Sequence, residues 1–189
     1  WWMRIISGNY KGKKILLPKN KLTRPLKDLT KESIFNIIKH SRLLNINLEN
    51  SNILDLFSGV GSFGLECLSR GAANVTFLES YNEVISILKK NIDNLEQQTS
   101  SNIIEKDIFT ENTLKRLNKK FDIIFMDPPY KEKKIKTLLN TIINLKLLKD
   151  NGVIIIHRHK KEEDSLPNEF NILIKKNYGI SKIIFGNYI

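Results

Sequence analysis

The sequence predicts an open, mostly parallel α/β sheet that ends in an antiparallel hairpin and is preceded by a basic N-terminal extension. Three observations carry this expectation. From residue 52 onward, apolar runs of strand length alternate with helical patterns, the rhythm of parallel strands joined by crossover helices. The last two apolar runs, 171–177 and 181–188, have only Tyr178-Gly179-Ile180 between them. That link is too short for a crossover, so the two must pair antiparallel. Finally, the first fifty residues hold eleven Lys and Arg against three acids, which places most of the net charge of +11 at one end.

The elements follow in order. Residues 4–18, with Gly8, Gly12 and a closing Pro18, read as a short hairpin. A Lys-rich link, 19–27, leads to Ile34, Ile37 and Ile38 at helical spacing, with Asp28 or Thr30 as the expected N-cap and His40 at the helix end. Residues 1–43 are thus expected to form a basic hairpin-and-helix extension, and 44–189 the α/β domain. Trp1 and Trp2 precede Met3 and carry no weight in the fold argument. Strands are expected at 52–57, 74–78, 102–105, 121–126 and 153–157, with helices near 62–70, 82–96, 110–118 and 133–146. With the closing hairpin the sheet has seven strands. Ser69-Arg70-Gly71 reads as a helix terminus. Lys160-Lys161-Glu162-Glu163-Asp164 and Pro167 mark 160–168 as the expected mobile loop. A chain of 189 residues with 41% hydrophobic content can bury one sizeable core. The single Cys67, between apolar helix positions, excludes an internal disulfide and reads as a buried thiol. No apolar run reaches the ~18–20 residues of a membrane helix, and a cytoplasmic protein without membrane association is expected.

The placement of charge points to a polyanion. Clustered cations displace counterions from a phosphate backbone, whereas a Lys-rich composition alone would not load one end of the chain. Arg4, Lys11, Lys13, Lys14 and Arg24 are the expected nucleic-acid contacts.

Two motifs carry chemistry. Gly59-Val60-Gly61-Ser62-Phe63-Gly64 follows the strand Ile53-Leu54-Asp55-Leu56-Phe57 and opens a helix, the setting a nucleotide-binding glycine loop requires. Asp127-Pro128-Pro129-Tyr130 follows the apolar run 121–126. A carboxylate, a prolyl carbonyl and an aromatic face at a strand end suit the grip of a flipped base by its exocyclic amine; an ordinary strand-to-loop turn is the plainer reading. Asp55, Glu79, Asp107 and Asp127 all fall at or just past strand ends, which in a parallel sheet share one edge. Four carboxylates so placed repel one another unless a ligand offsets them. S-adenosylmethionine, a cation with many donors, meets that need. Glu79 can accept the ribose hydroxyls, Asp107 the adenine amine, and Asp55 lies near the methionine ammonium; Phe57, Ser58, Gly59, Gly61 and Ile108 complete the expected cofactor site. A nicotinamide dinucleotide would use the same loop but leaves Asp127-Pro128-Pro129-Tyr130 unexplained. His157 and His159 share a strand face with no evident third ligand, so no metal is expected. Tyr178 and Tyr188 are expected to pack the final hairpin.

With these residues in view, the chain resembles the class I, Rossmann-type S-adenosylmethionine methyltransferases. Specifically, it is similar to the bacterial RsmD family, which methylates the N2 amine of a guanine in 16S ribosomal RNA. The likeness runs from Arg4-Ile5-Ile6 through Arg24-Pro25, the glycine loop, Gly64-Leu65-Glu66-Cys67-Leu68-Ser69-Arg70-Gly71-Ala72 and Asp127-Pro128-Pro129-Tyr130 to Tyr178-Gly179. It implies S-adenosyl-L-methionine as cofactor and small-subunit ribosomal RNA, naked or in an assembly particle, as partner of a monomeric enzyme. In the expected mechanism Asp127 and the Pro128 carbonyl accept the amine hydrogens while Tyr130 stacks on the base. Adenine-N6 or cytosine-N4 methylation of DNA or RNA is the alternative, because the motif serves several exocyclic amines. A non-catalytic RNA-binding module on the same fold is a third possibility, and it would fail to bind the cofactor.

Overall fold

A computed structural model describes residues 2–20, 26–110 and 112–189. The N-terminal hairpin pairs β1 (Trp2–Arg4) with β2 (Lys14–Leu16), and Trp2 joins it opposite Leu16. Helix α1 (Asp28–His40) follows. Its N-cap is Lys27 with no side-chain cap, and Asp28 instead occupies the first turn, where its charge offsets the helix dipole's positive end. Neither expected N-cap residue therefore serves as one.

Seven strands then form one sheet: β3 (Asn52–Leu56), β4 (Asn74–Leu78), β5 (Ser101–Ile104), β6 (Phe121–Met126), β7 (Leu148–His159), β8 (Asn171–Tyr178) and β9 (Ser181–Asn187). Their spatial order is β5-β4-β3-β6-β7-β9-β8. β3 to β7 are parallel, and β9 joins β7 and β8 antiparallel, as the short link at 178–180 requires. β7 starts earlier than the apolar run 153–157, with a register shift opposite Phe121/Ile123.

Helices α2 (Ser62–Ser69), α3 (Asn82–Asn94) and α4 (Ile135–Asn144) lie where the periodicity places them. The helix expected at 110–118 does not form; only a 3-10 turn, Lys115–Leu117, appears there. Asn112 at φ +69° and Asn118 at φ +43° take left-handed backbone, which a continuous right-handed helix cannot contain.

Alternating side chains of the buried strands build two cores. Ile53, Val75, Phe77, Ile123, Phe125, Val153 and Ile155 face α1, α2, α3 and the N-terminal hairpin. Leu54, Leu56, Leu78, Ile124, Met126, Ile154 and Ile156 face α4. Ile5 and Ile15 of the hairpin region and Ile34 and Phe35 of α1 are fully or almost fully buried in the first core. Stacked rings cross it, Phe35 to Phe63 at 5.2 Å and Phe63 to Phe125 at 4.0 Å. Cys67 is a buried free thiol, pushed up by burial and then by the neighbouring carboxylates. No helix among the described residues is long and apolar enough to cross a membrane.

Buried polar links fasten the N-terminal segment. Glu66 of α2 accepts the Ile6 and Ser7 amides, pairs with Lys31 Nζ at 3.3 Å and binds Arg70 Nε at 2.9 Å. Burial lowers the Lys31 pKa, and Glu66 opposes that shift. Asn91 of α3 bonds both backbone groups of Leu16 and donates to the Val60 carbonyl at 2.9 Å. Tyr188 packs the second core and accepts the Leu148 amide, while Tyr178 packs on the first.

Candidate active site

In an open α/β sheet the connections leave a crevice where strand order reverses, at the carboxyl ends of the strands. Here the chain runs outward from β3 through β4 to β5, then returns to place β6 on the other side of β3. The reversal lies between β3 and β6. Register does the rest: Leu56 is opposite both Leu78 and Met126, so Phe57, Glu79 and Asp127 emerge side by side.

A cleft of 810 Å³ opens at that edge. Asp55, Phe57, Ser58, Gly59, Glu79, Asp107 and Ile108 line it, together with Asp127, Pro128 and Tyr130. The glycine loop and the Asp-Pro-Pro-Tyr segment, distant in the sequence, therefore share one cavity. Gly61 caps α2 at φ +92°, where a side chain would be strained and its Cβ would lie 2.6 Å from Leu88 Cδ1. Phe57 holds φ +56° at the strand end, a local strain typical of ligand-facing turns. Leu17, Pro18 and Leu26 of the N-terminal segment form part of the cleft wall.

The acids differ in their surroundings. Asp55 is buried, and its Oδ2 accepts the Gly64 amide at 3.1 Å. Burial pushes its carboxyl well above the usual range, the Gly64 N–H opposes this, and Asp127 and Glu79 add to it. Glu79 Oε1 accepts the Gly59 amide at 2.9 Å, and Oε2 accepts the Ser80 and Tyr81 amides. Each oxygen keeps further acceptor capacity, and the carboxylate is fixed against the glycine loop. Asp107 is exposed, with Oδ1 accepting the Phe109 amide at 2.8 Å.

Two residues to which the sequence pattern assigned no catalytic part control the Asp127 corner. Met126 is opposite Ile156, so His157 stands beside Asp127, and His157 Nδ1 lies 2.7 Å from Asp127 Oδ1. The other face of the ring, Nε2, meets Ser181 Oγ at 2.8 Å. Arg158, fully buried, donates to the Pro129 carbonyl at 3.0 Å, to the Glu132 carbonyl at 2.8 Å and bidentately to Asp164. It clamps the turn that carries Tyr130 and, with Lys182 donating to the Glu162 carbonyl, also ties down the loop expected to be mobile. The His159 ring meets the Tyr130 ring edge-on at 5.0 Å, and no metal-binding cluster occurs among the described residues. The spacing showed the two histidines sharing a face; it could not show that β7 lies next to β6.

Of the expected nucleic-acid contacts, Arg4, Lys11, Lys13 and Lys14 are exposed on the hairpin, and Arg4 is 3.8 Å from Asp28. Arg24 lies outside the described residues.

A family model described as conserved hypothetical protein 95 matches residues 3–187. The chain belongs to this family. It is 38% identical over 176 residues to ribosomal RNA small subunit methyltransferase D of Buchnera aphidicola (subsp. Acyrthosiphon pisum), covering 91% of this chain and 86% of that one. With the methyltransferase D of Haemophilus influenzae it shares 31% identity over 94% of this chain and 90% of that one. A crystal structure of a provisionally assigned methylase from Haemophilus influenzae, 29% identical, superposes with a TM-score of 0.78 and 100% coverage of both chains. The resemblance to the methyltransferase D family read from the motifs thus holds across nearly the whole chain, and the fold is that of a class I methyltransferase.

S-adenosylmethionine is the cofactor of this fold and family. The cleft fits it on three counts. Space beside Gly59 is open where a Cβ would project, the buried Ser58 hydroxyl has no hydrogen-bond partner among the described residues, and the crowded acids offset a cation.

Proposed function

We propose that this chain methylates the exocyclic N2 amine of a guanine in small-subunit (16S) ribosomal RNA. The observation that carries the reading is that one cleft is lined by both the glycine loop and Asp127-Pro128-Pro129-Tyr130. The names of the methyltransferase D relatives support ribosomal RNA as the substrate. Their long shared coverage favours the family's guanine over another base.

In this mechanism Asp55 faces the methionine end of the cofactor, with the Gly59–Gly61 turn giving the close approach. Glu79 takes the ribose hydroxyls, Asp107 the adenine amine, and Phe57, Ser58 and Ile108 complete the site. Bound there, the cofactor supplies a methyl group already activated by its sulfonium. The guanine amine is a poor nucleophile because its lone pair is conjugated with the ring. Asp127 and the Pro128 carbonyl accept its two hydrogens, which draws the nitrogen toward tetrahedral geometry and turns the lone pair to the methyl side. Positioning and charge placement therefore supply most of the acceleration. Tyr130 stacks on the base, a contact worth ~1–3 kcal/mol. The N-terminal segment 1–43, with Arg4, Lys11, Lys13, Lys14 and Arg24, contacts RNA phosphates.

Incubation with 16S RNA fragments, assembly particles and DNA, followed by nucleoside mass spectrometry, tests this. N2-methylguanine in RNA is expected, with Asp127→Ala abolishing transfer while S-adenosylmethionine binding by calorimetry stays nearly intact. N6-methyladenine or N4-methylcytosine instead would replace the base assignment, and full activity in Asp127→Ala would remove the catalytic one.

A further inference from the structure

Asp127 does not stand alone at the sheet edge. Its Oδ1 is 2.7 Å from His157 Nδ1, with the His157 side chain 7% exposed and that of Asp127 19%. Among the described residues no hydrogen bond reaches Asp127 Oδ2. A carboxylate only accepts, so Nδ1 must carry the hydrogen on that line. Nε2 of the neutral ring is then a lone pair that needs a donor, and the Ser181 hydroxyl at 2.8 Å can turn to provide one. Three strands supply the three members: Asp127 directly follows the last residue of β6, β7 carries His157 and β9 begins with Ser181. The pairing of His159 with Ser181 and of His157 with Ile183 shows that Ser181 reaches His157 diagonally across the ladder.

We propose that His157 is a positioning residue for Asp127: held as its Nδ1–H tautomer by the carboxylate it donates to, with Ser181 seating Nε2, it ties down Oδ1 and leaves Oδ2 to meet the amine of the base. This rests on the methyltransferase reading above. A free carboxylate could rotate about its Cβ–Cγ bond and present either oxygen at any angle. Held by a second hydrogen bond, it offers one lone pair in one direction, and small misplacements in such contacts cost up to about a hundredfold in rate. The neutral ring also leaves the carboxylate's negative charge in place. As the nitrogen–carbon bond forms, the carbon–sulfur pair goes to sulfur, the amine releases one hydrogen as a proton, and Oδ2 receives it. An imidazolium would donate from both nitrogens, to Asp127 and to Ser181, and would neutralise the acceptor before the base arrived.

The other groups around the ring do not compete for its nitrogens. Tyr130 presents its ring 6.4 Å away, and His159 sits against Tyr130. On the same strand Arg158 is committed to the loop carbonyls and Asp164, and from β9 Lys182 is committed to the Glu162 carbonyl. Of the nearby acids, Asp55 interacts with Asp127 rather than with His157.

The test compares His157→Asn, which puts an amide N–H where Nδ1–H was, with His157→Leu, which removes it, measuring kcat, KM, S-adenosylmethionine affinity and thermal unfolding. His157→Leu is expected to lower kcat by about ten- to a hundredfold with KM and cofactor affinity unchanged. His157→Asn is expected to stay within about threefold of the native rate. Unchanged kcat in His157→Leu, or an equal loss in His157→Asn, would overturn the proposal. Nitrogen-15 spectra of the histidine ring need no substrate. They are expected to show a protonated Nδ1 and a bare Nε2, with the Nε2 signal alone shifting in Ser181→Ala as its hydroxyl partner is lost. If the native protein transfers no methyl group yet shows that spectrum, the reaction assignment fails and the Asp127–His157–Ser181 arrangement stands. A native ring already mixed between tautomers sinks the arrangement whatever the activity, and the same spectrum decides if His157→Leu does not fold.

Discussion

Replacing Arg158 with Met tests the clamp behind the Asp127 turn. The guanidinium is wholly buried and Asp164 is 12% exposed, so their 2.7 and 3.0 Å bonds form a desolvated ion pair. Breaking such a pair by removing one partner costs about 3–5 kcal/mol, because the remaining charge stays buried and unpaired. The Pro129 and Glu132 carbonyls lose their donors too, but they lie on a loop that water can reach after rearrangement, so the lower half of that range is the better figure. For a protein of this size each kcal/mol moves the midpoint by about 2–4 °C, which gives a drop of about 6–16 °C. Thermal unfolding monitored by circular dichroism measures it. Arg158→Met/Asp164→Leu, which removes both charges, is expected to regain most of the loss. A single variant within about 2 °C of the native midpoint, or a double variant no better than the single, would refute the assignment of the stability to this pair.

Two further predictions concern charge. Burial raises the Asp55 carboxyl well above 3.8, so between the unfolded and folded pKa values the folded, cofactor-free protein holds a proton that the unfolded chain has released. Stability therefore falls as pH rises through that window, is free of the penalty below it, and bears the full penalty above it. Asp55→Asn, which can still accept the Gly64 amide, is expected to unfold at a higher temperature than the native protein at neutral pH and at the same temperature in acid; a lower midpoint at neutral pH would reject this. Changing Lys11, Lys13 and Lys14 to Gln is expected to weaken RNA binding and to flatten its dependence on log salt by about 0.7 for each phosphate no longer neutralised, with cofactor affinity unchanged. An unaltered slope in a filter-binding titration would place the RNA elsewhere.

The strand-helix rhythm and the short link at Tyr178-Gly179-Ile180 made the sheet legible, because buried parallel strands are continuous apolar runs and tight links admit only antiparallel pairing. That the glycine loop and the Asp127 segment belong to one strand-end cleft was legible for a related reason: a glycine turn or a Pro-Pro step leaves a local mark. His157 and Arg158 left none. Their roles depend on β7 lying beside β6 with Ile156 opposite Met126, a register set by packing between distant segments. The failed helix at 110–118 shows the reverse limit. Its apolar spacing at Leu114 and Leu117 suits a helix, yet the chain turns at Asn112 and Asn118, residues whose short polar side chains tolerate left-handed backbone.

The same distinction governs the basic N-terminal segment. Its charges mark a composition boundary near residue 43, but its apolar residues do not respect that boundary. Ile5, Ile15, Ile34 and Phe35 belong to the core that α2 and α3 build on the sheet. Lys31 reaches both Glu66 and Ser62, at 3.3 and 3.2 Å, and Asn91 joins Leu16 to the glycine loop at Val60. Lys11 and Lys13 are thus carried on the outer side of a hairpin whose inner side is packed. Cations on a fixed platform lose less freedom on meeting a phosphate backbone than cations on a free tail, so each contact keeps more of its interaction energy. Because Leu17, Pro18 and Leu26 also wall the cleft, the distance from that platform to Asp127 is set by the core itself.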